Sequence, residues 1–259
     1  MTNFHTHTFR CKHGLGIPSD YVKAFSEDFE MSSFGFSDHC PYPDDDERTW
    51  PEIRMSCTEI PAYLEDIEKA KELANFPVYS GFECEWDKEF SGWYTDILKK
   101  NYNVDYLVFG PHWVRHKDSF IYALNITDKN LLFKYIDGVI EGIHSKIFDF
   151  VAHPDLVLAT WKNWDTTLES CMQEIILASN EEKLPLEING LGTFRPMNVT
   201  SRGLRYQYPV EEFWQLAKKL NATVICNGDC HNPLEAKKNV LAAHTFAKNM
   251  GIKPIESLF

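Results

Sequence analysis

Seven short apolar runs, each followed by a segment whose apolar residues recur at helical spacing, constrain this chain more than any other feature. The runs predict strands at 3–7, 33–37, 76–82, 104–109, 148–152, 184–188 and 222–226. Helices are expected at 21–30, 58–74, 94–101, 128–146, 165–182, 210–220 and 233–250, and long irregular loops at 40–57, 114–127 and 189–209. Strands that are apolar at nearly every position belong in a sheet covered on both faces. Strand and helix in alternation make that sheet parallel, either a closed or nearly closed barrel or an open doubly wound sheet. The open form usually carries a glycine-rich phosphate loop after its first strand. None is present here, so an α/β parallel barrel is expected, with one domain over residues 1–259.

The metal-binding residue types gather at the strand ends. In His5-Thr6-His7 the alternation of a strand places both imidazoles on one face. His39, His112, His153 and His231 also lie at or just past the C-terminal ends of strands, as do Glu83 and Asp229, and His13 lies where a turn would fold it back over the same spot. Seven of the ten histidines thus meet at one barrel rim, the rim where βα loops build active sites. His116, His144 and His244 fall in a loop and on helices. Nine ligands are too many for one ion; with Glu83 bridging, they supply roughly three ions with three or four side chains each. Imidazole and carboxylate together suit zinc, iron or manganese. Cys40, Cys84 and Cys230 each follow a proposed ligand, and alternation points them away from the metals into apolar packing.

Composition sets the partners. A formal net charge of −12 disfavours a general nucleic-acid or anionic-membrane surface, which would need a basic face. Metal ions and a few arginines can still reverse the sign of the potential inside one cleft. No apolar run reaches the length of a membrane span, and Met1 leads almost directly into the first strand, so no secretory leader is expected. Seven cysteines, an odd number without paired spacing, read as reduced thiols. A cytoplasmic protein acting on a small molecule is expected, with its oligomeric state open.

In its motifs the chain resembles the polymerase and histidinol phosphatase (PHP) superfamily of metal-dependent phosphoesterases. The resemblance rests on His5-Thr6-His7 with His13, Ser37-Asp38-His39, Gly81-Phe82-Glu83, Gly110-Pro111-His112-Trp113, Ala152-His153-Pro154 and Gly228-Asp229-Cys230-His231, in that order. It implies a distorted seven-stranded barrel, TIM-like but one strand short, with three divalent ions. His5, His7, Glu83 and Asp229 would hold the first, Glu83 (bridging), His112 and His153 the second, and His13, His39 and His231 the third. Arg54-Met55-Ser56 leading into Glu59 to Tyr63, and Leu186-Glu187-Ile188-Asn189-Gly190, make the sequence most similar to the monofunctional histidinol-phosphate phosphatases of histidine biosynthesis. The last motif departs from the frequent Ser-Asp-Ala-His at its flanking positions and keeps both ligands.

The implied reaction is hydrolysis of histidinol phosphate by a hydroxide bridging two of the metals. So slow a reaction needs its charge neutralised and hydroxide supplied. Arg195, in the loop after the sixth strand, is the first candidate to hold the phosphate, with Arg202 and Arg205 next and Arg54 and Trp113 as further substrate contacts. Asp229 is the candidate proton donor or shuttle. The acidic run 44–47 or Glu52 would attract the cationic end of the substrate, and Trp50, Trp86, Trp113 or Phe194 would stack on its imidazole. Three other readings compete. A phosphodiesterase or nuclease of the same barrel would need a basic groove. An amidohydrolase would more often carry a lysine at a strand tip. The third is a metal-stabilised binding module without catalysis.

Overall fold

Every expected apolar run forms a strand of one sheet in the computed structural model, which describes residues 1–26, 29–43, 50–117 and 119–259. The first four are β1 (Thr2–Asn3), β2 (Ser33–Phe36), β3 (Val78–Cys84) and β4 (Tyr106–Phe109). An antiparallel hairpin follows, β5 (Trp113–His116) with β6 (Ser119–Tyr122), before β7 (Phe150–Val151) and β8 (Leu186–Asn189) rejoin the sheet. A second hairpin, β9 (Asn198–Thr200) with β10 (Gly203–Arg205), precedes the last strand of the sheet, β11 (Val224–Asn227). The order is β1-β2-β3-β4-β7-β8-β11, parallel at each pairing. Both hairpins occupy stretches that the sequence leaves as irregular loops. Their strands are only three or four residues long and partly exposed, so they lack the apolar density that marks a barrel strand.

The connecting helices are α1 (Pro18–Ser26), α2 (Ile60–Lys71), α3 (Lys129–His144), α4 (Thr166–Glu182), α5 (Glu211–Lys219) and α6 (Pro233–Met250). Residues 93–101 wind as a π-helix. Side chains start three of them: Asp128 accepts from the amides of Asn130 and Leu131, Asp165 from Leu168, and Asn232 from Leu234 ahead of Pro233. The helix expected from Thr58 begins differently. Ser56 and Glu59 form a capping box over a 3-10 turn at Cys57–Glu59, and α2 follows with Pro61 in its first turn. The helix expected to reach Glu30 is helical to Ser26, and residues 27–28 lie outside the described residues. Among the described residues no helix is long and apolar enough to cross a membrane.

Alternation along the strands sorts the core into two layers. Leu107, Phe109, Val151, Leu186, Ile188, Val224 and Cys226 face outward into one large cluster with the helices. Phe4, Tyr106, Val108, Phe150, Ala152 and Ile225 fill the barrel itself. Tyr106 crosses that interior and donates to the Phe4 carbonyl at 2.8 Å. It fits because Gly35 and Gly81 line its path: a Cβ would lie 2.3 Å from the Tyr106 hydroxyl at the first and 2.8 Å from its ring at the second. Below, Ile255 and Leu258 pack against the same cluster, the Ile255 amide donates to the Val224 carbonyl, and Phe259 lies against Tyr79.

The ring closes between β1 and β11 by an unusual seam. At its top, Thr6 and Cys230 make a parallel bridge, with the His7 amide donating to Cys230 and the Cys230 amide to His5. Below, two asparagine side chains replace the ladder: Asn3 Oδ1 accepts from the Gly228 amide and Asn227 Oδ1 from the Phe4 amide, both at 2.7 Å.

Candidate metal centre

β3 delivers Glu83 to the C-terminal rim, and five imidazoles surround its carboxylate. Oε1 lies 3.1 Å from His153 Nε2, 3.4 Å from His5 Nε2 and 3.5 Å from His112 Nε2. Oε2 lies 3.0 Å from His39 Nδ1 and 3.5 Å from His7 Nε2. Asp229, just past β11, is the second hub: its Oδ1 is 3.3 Å from His231 Nδ1, 3.4 Å from His7 Nε2 and 3.6 Å from His5 Nε2. His13 completes the group, its Nε2 3.1 Å from that of His231. The nine side chains singled out in the sequence are therefore together. Four overlapping sets have ligand atoms within 4.8 Å of one another: His5, His7 and Asp229; His5, Glu83 and His153; His7, His39 and Glu83; His13, His39 and His231.

Local backbone explains how so many polar groups reach one point. β1 runs straight into His5 and His7, and His39, just past β2, bridges to Glu83 on β3. Gly110 lets the chain turn toward His112, since a Cβ there would meet Glu83 Oε1 at 2.6 Å and His112 Cε1 at 2.7 Å. His153 and Asp229 sit at φ of 30° and 50°, in the left-handed region that side chains other than glycine enter at a cost.

Hydrogen bonds decide which ring nitrogen points inward. His13 Nδ1 donates to the Cys11 carbonyl at 2.6 Å and His231 Nδ1 to the Asp229 carbonyl at 3.1 Å. His5 Nδ1 meets Glu187 and His112 Nδ1 meets Glu85, both at 2.8 Å. In the neutral rings each Nε2 then carries a lone pair aimed into the centre. Burial, with the neighbouring rings of His231 and His39, holds His7 well below the usual histidine range; burial pushes His39 down to about 3 and lowers His231. Glu83 and Asp229 are held well below the usual carboxylate range: burial opposes this, and the imidazoles around each outweigh it. Both nitrogens of His7, and His5 Nε2, have no hydrogen-bond partner among the described residues. Imidazoles, three of them held below the usual histidine range, and ionised carboxylates, buried together, are a donor set that divalent cations satisfy.

Cys11 also lies within ligand distance of His7 and His231, but burial pushes its thiol up to about 12, so it is no thiolate nucleophile at neutral pH. Cys40, Cys84 and Cys230 are buried in the outer core, as alternation requires.

The expected substrate contacts are spread more widely. Arg195 is exposed at the rim after β8, near the Tyr208 hydroxyl; burial lowers its pKa, but Tyr208, Asp229 and Tyr122 outweigh it and raise it. Trp113 stacks on Trp50 at 4.7 Å and approaches Tyr122 at 4.9 Å. Arg54 is buried, donates to the Cys40 carbonyl and stands over the rings of Tyr42 and Trp50; its Nε and Nη2 have no partner among the described residues. Arg202 and Arg205 do not join the imidazoles, because the β9–β10 hairpin carries them outward. Arg202 pairs with Glu212, and Arg205 donates to the Leu158 carbonyl. Phe194 is exposed beneath the Lys238 ammonium. Trp50, Trp86 and Trp113 share a cavity of about 410 Å³ with Glu85, Phe120 and Tyr135. The acidic run 44–47 lies outside the described residues.

Glu85, Tyr122 and Glu187 are part of the centre and were not singled out. Two had a signal: Glu85 is two residues past Glu83 and so on the same face of the chain, and Glu187 is a charge inside an apolar strand. Tyr122 had none. Its strand is only a hairpin, and burial pushes its hydroxyl up to about 12, with Arg195 opposing and Asp229, Glu83 and Glu85 adding.

Comparison with known proteins follows the same lines. The family model described as "PHP domain" matches residues 3–190. A probable histidinol-phosphatase of Deinococcus radiodurans is 23% identical over 242 residues, 91% of this chain and 88% of that protein. A crystal structure of a histidinol phosphate phosphatase from Lactococcus lactis, complexed with zinc, L-histidinol and phosphate, superposes with a TM-score of 0.73 at 15% identity, covering 98% of this chain and 95% of that one. A crystal structure from Listeria monocytogenes described as a "putative histidinol phosphatase" gives 0.68 at 16% identity, over 91% and 97% of the two chains. At these identities the structural likeness establishes the shared barrel fold.

Proposed function

The chain belongs to the PHP domain family, and from that membership we propose that it is a metal-dependent phosphomonoesterase whose substrate is L-histidinol phosphate. The observation that carries the reading is the Glu83 carboxylate ringed by five inward-facing imidazoles. The names of its relatives, a probable histidinol-phosphatase and a phosphatase complexed with zinc, histidinol and phosphate, support the substrate. Three divalent ions are proposed, zinc before iron or manganese. His5, His7, Glu83 and Asp229 would hold one, Glu83, His112 and His153 a second, and His13, His39 and His231 a third. Bound there, divalent cations would neutralise the charge of a phosphate ester and acidify water for its hydrolysis.

The chain's own residues do the rest. Arg195, at the rim beside Tyr208, offers a planar pair of donors to phosphate oxygens. Arg54 has two nitrogens, Nε and Nη2, without a partner among the described residues. The aromatic cavity of Trp50, Trp86 and Trp113 suits an imidazole, with Glu85 at its edge for a cation. Asp229 is held ionised, so it accepts a proton more readily than it supplies one to a leaving alkoxide. The net charge of −12 favours a small ester over nucleic acid.

Phosphate release from histidinol phosphate and p-nitrophenyl phosphate, beside strand cleavage of a single-stranded oligonucleotide, each with and without chelator, tests this. Chelator-sensitive release from histidinol phosphate, well above the other two, is expected. Cleavage of the oligonucleotide alone would make the protein a nuclease of the same barrel, and no metal-dependent release at all would end the phosphatase reading.

A further inference from the structure

Glu187 is fully buried in β8, where alternation sends Leu186 and Ile188 out to the helices and Glu187 with Asn189 into the barrel. Its two oxygens meet four partners. Oε1 is 2.8 Å from His5 Nδ1 and 3.0 Å from Asn227 Nδ2; Oε2 is 2.9 Å from the His153 amide and 3.0 Å from Asn189 Nδ2. The two asparagines cannot be turned the other way. Asn227 Oδ1 is engaged by the Phe4 amide and Asn189 Oδ1 by the Gly192 amide, so both present NH₂ to Glu187. Asn189 Nδ2 reaches on to Asp229 Oδ2 at 3.1 Å. Three of the four partners are thus donors by necessity. The fourth, His5 Nδ1, must donate as well, because an ionised carboxylate offers only lone pairs.

We propose that Glu187 is the positioning residue of the metal centre: it locks His5 in the Nδ1–H form, so that Nε2 faces the cation, and anchors His153 and Asp229 beside it. The proposal rests on the metal-dependent reading above. It names one carboxylate tying together ligands from three different strand ends, and it accounts for His153 holding its left-handed backbone, since that residue's amide is bonded to Glu187. Glutamine cannot take the place of Glu187. Whichever way its amide turned, its NH₂ would face either His5 and Asn227 or His153 and Asn189, donor against donor. None of the bonds from Glu187 reaches His13, His39 or His231 directly; the one route to them runs through Asn189 and Asp229, so the position those three would form should feel its loss least.

The test uses zinc as the probe. Wild type and Glu187→Gln are loaded with zinc, freed of excess, counted by elemental analysis, and followed as zinc passes to a chelating dye. The variant is expected to release zinc about 10–100-fold faster from the positions that contain His5 and His153, and to keep the ion held by His13, His39 and His231. An unchanged count and release rate would overturn the positioning role while leaving the metal reading intact. Equal loss of every ion from a folded variant would also overturn it, as general loosening. Failure of the wild type to hold zinc would overturn the metal reading itself. A second measurement needs no variant: long-range ¹H–¹⁵N spectra of the zinc-loaded wild type should show His5 protonated on Nδ1, and a ring protonated on Nε2 instead would sink the proposal even if Glu187→Gln does not fold.

Discussion

Glu83 keeps its charge in a place that solvent barely reaches, with 1% of its side chain exposed, because five imidazoles crowd it. Removing that charge should therefore remove the ions that balance the site. Glu83→Gln is expected to lose zinc and phosphatase activity together, checked by elemental analysis beside a phosphate assay. Arg195→Ala should behave differently, since Arg195 lies exposed at the rim beside Tyr208 and is not one of the nine side chains proposed to hold the ions. It should retain its zinc and lose about 10²–10³-fold in kcat/KM, the size expected for one charged donor on a developing anion; metal loss in this variant would mean that the arginine holds the centre together. A third expectation concerns protons. Burial lowers the pKa of His112, but Glu85 and Glu83 outweigh it and raise the ring to about 9, and Glu187, Asp229 and Glu83 raise His5 in the same way. Below pH 9 a cation must displace the His112 proton, so zinc affinity should rise with pH and level off above it. Zinc added to the metal-free protein at pH 7 in weak buffer should release about one to two protons per chain, and a titration showing none would refute the assignment of these rings as ligands.

At the scale of elements, the seam between β1 and β11 shows what a two-residue strand can and cannot do. β1 is too short to make a full ladder, so Asn3 and Asn227 supply hydrogen bonds in its place, and the bridge at Thr6 and Cys230 holds His5 and His7 against Asp229. Asn3→Ala would leave the Gly228 amide buried without an acceptor, a loss of roughly 1–3 kcal/mol. Urea unfolding of the metal-free variant should show that loss, and no change in midpoint would mean that the seam is held elsewhere. The two hairpins carry the opposite lesson. β5–β6 brings Trp113 and Tyr122 to the rim, whereas β9–β10 takes Arg202 and Arg205 away from it to Glu212 and Leu158. Nothing in a run of mixed polar and apolar residues announces which way a short hairpin will lean, because its direction is set by what it packs on.

Over the whole molecule the barrel has a wet, charged end and a dry one. Tyr106, Phe4 and Phe150 fill the middle, and Ile255 and Leu258 close the bottom, with Phe259 against Tyr79. Removing residues 255–259 should cost about 3 kcal/mol of stability, the order expected for two or three partly buried apolar side chains, and should leave the zinc content unchanged because the rim is at the other end. Thermal unfolding and elemental analysis of the truncated chain would check both, and loss of metal would show that the two ends are coupled. The strands, their parallel order and the gathering of nine histidine and carboxylate side chains at one rim are legible along the chain, because periodicity and strand-end position are local properties: a residue just past a buried parallel strand has only one rim to occupy. Which arginine stays near the rim was less legible, since Arg195, Arg202 and Arg205 share one stretch without apolar periodicity, and only the hairpin that carries the last two outward separates them. The tautomer of His5, the ionised state of Asp229 and the place of Glu187 are decided by the tertiary structure alone. His5 and Glu187 stand 182 residues apart in sequence and are brought within 2.8 Å by the closing of the barrel, and Asp229 meets His5 and His7 across the same seam; no local pattern records a distance that exists only once the ring is shut.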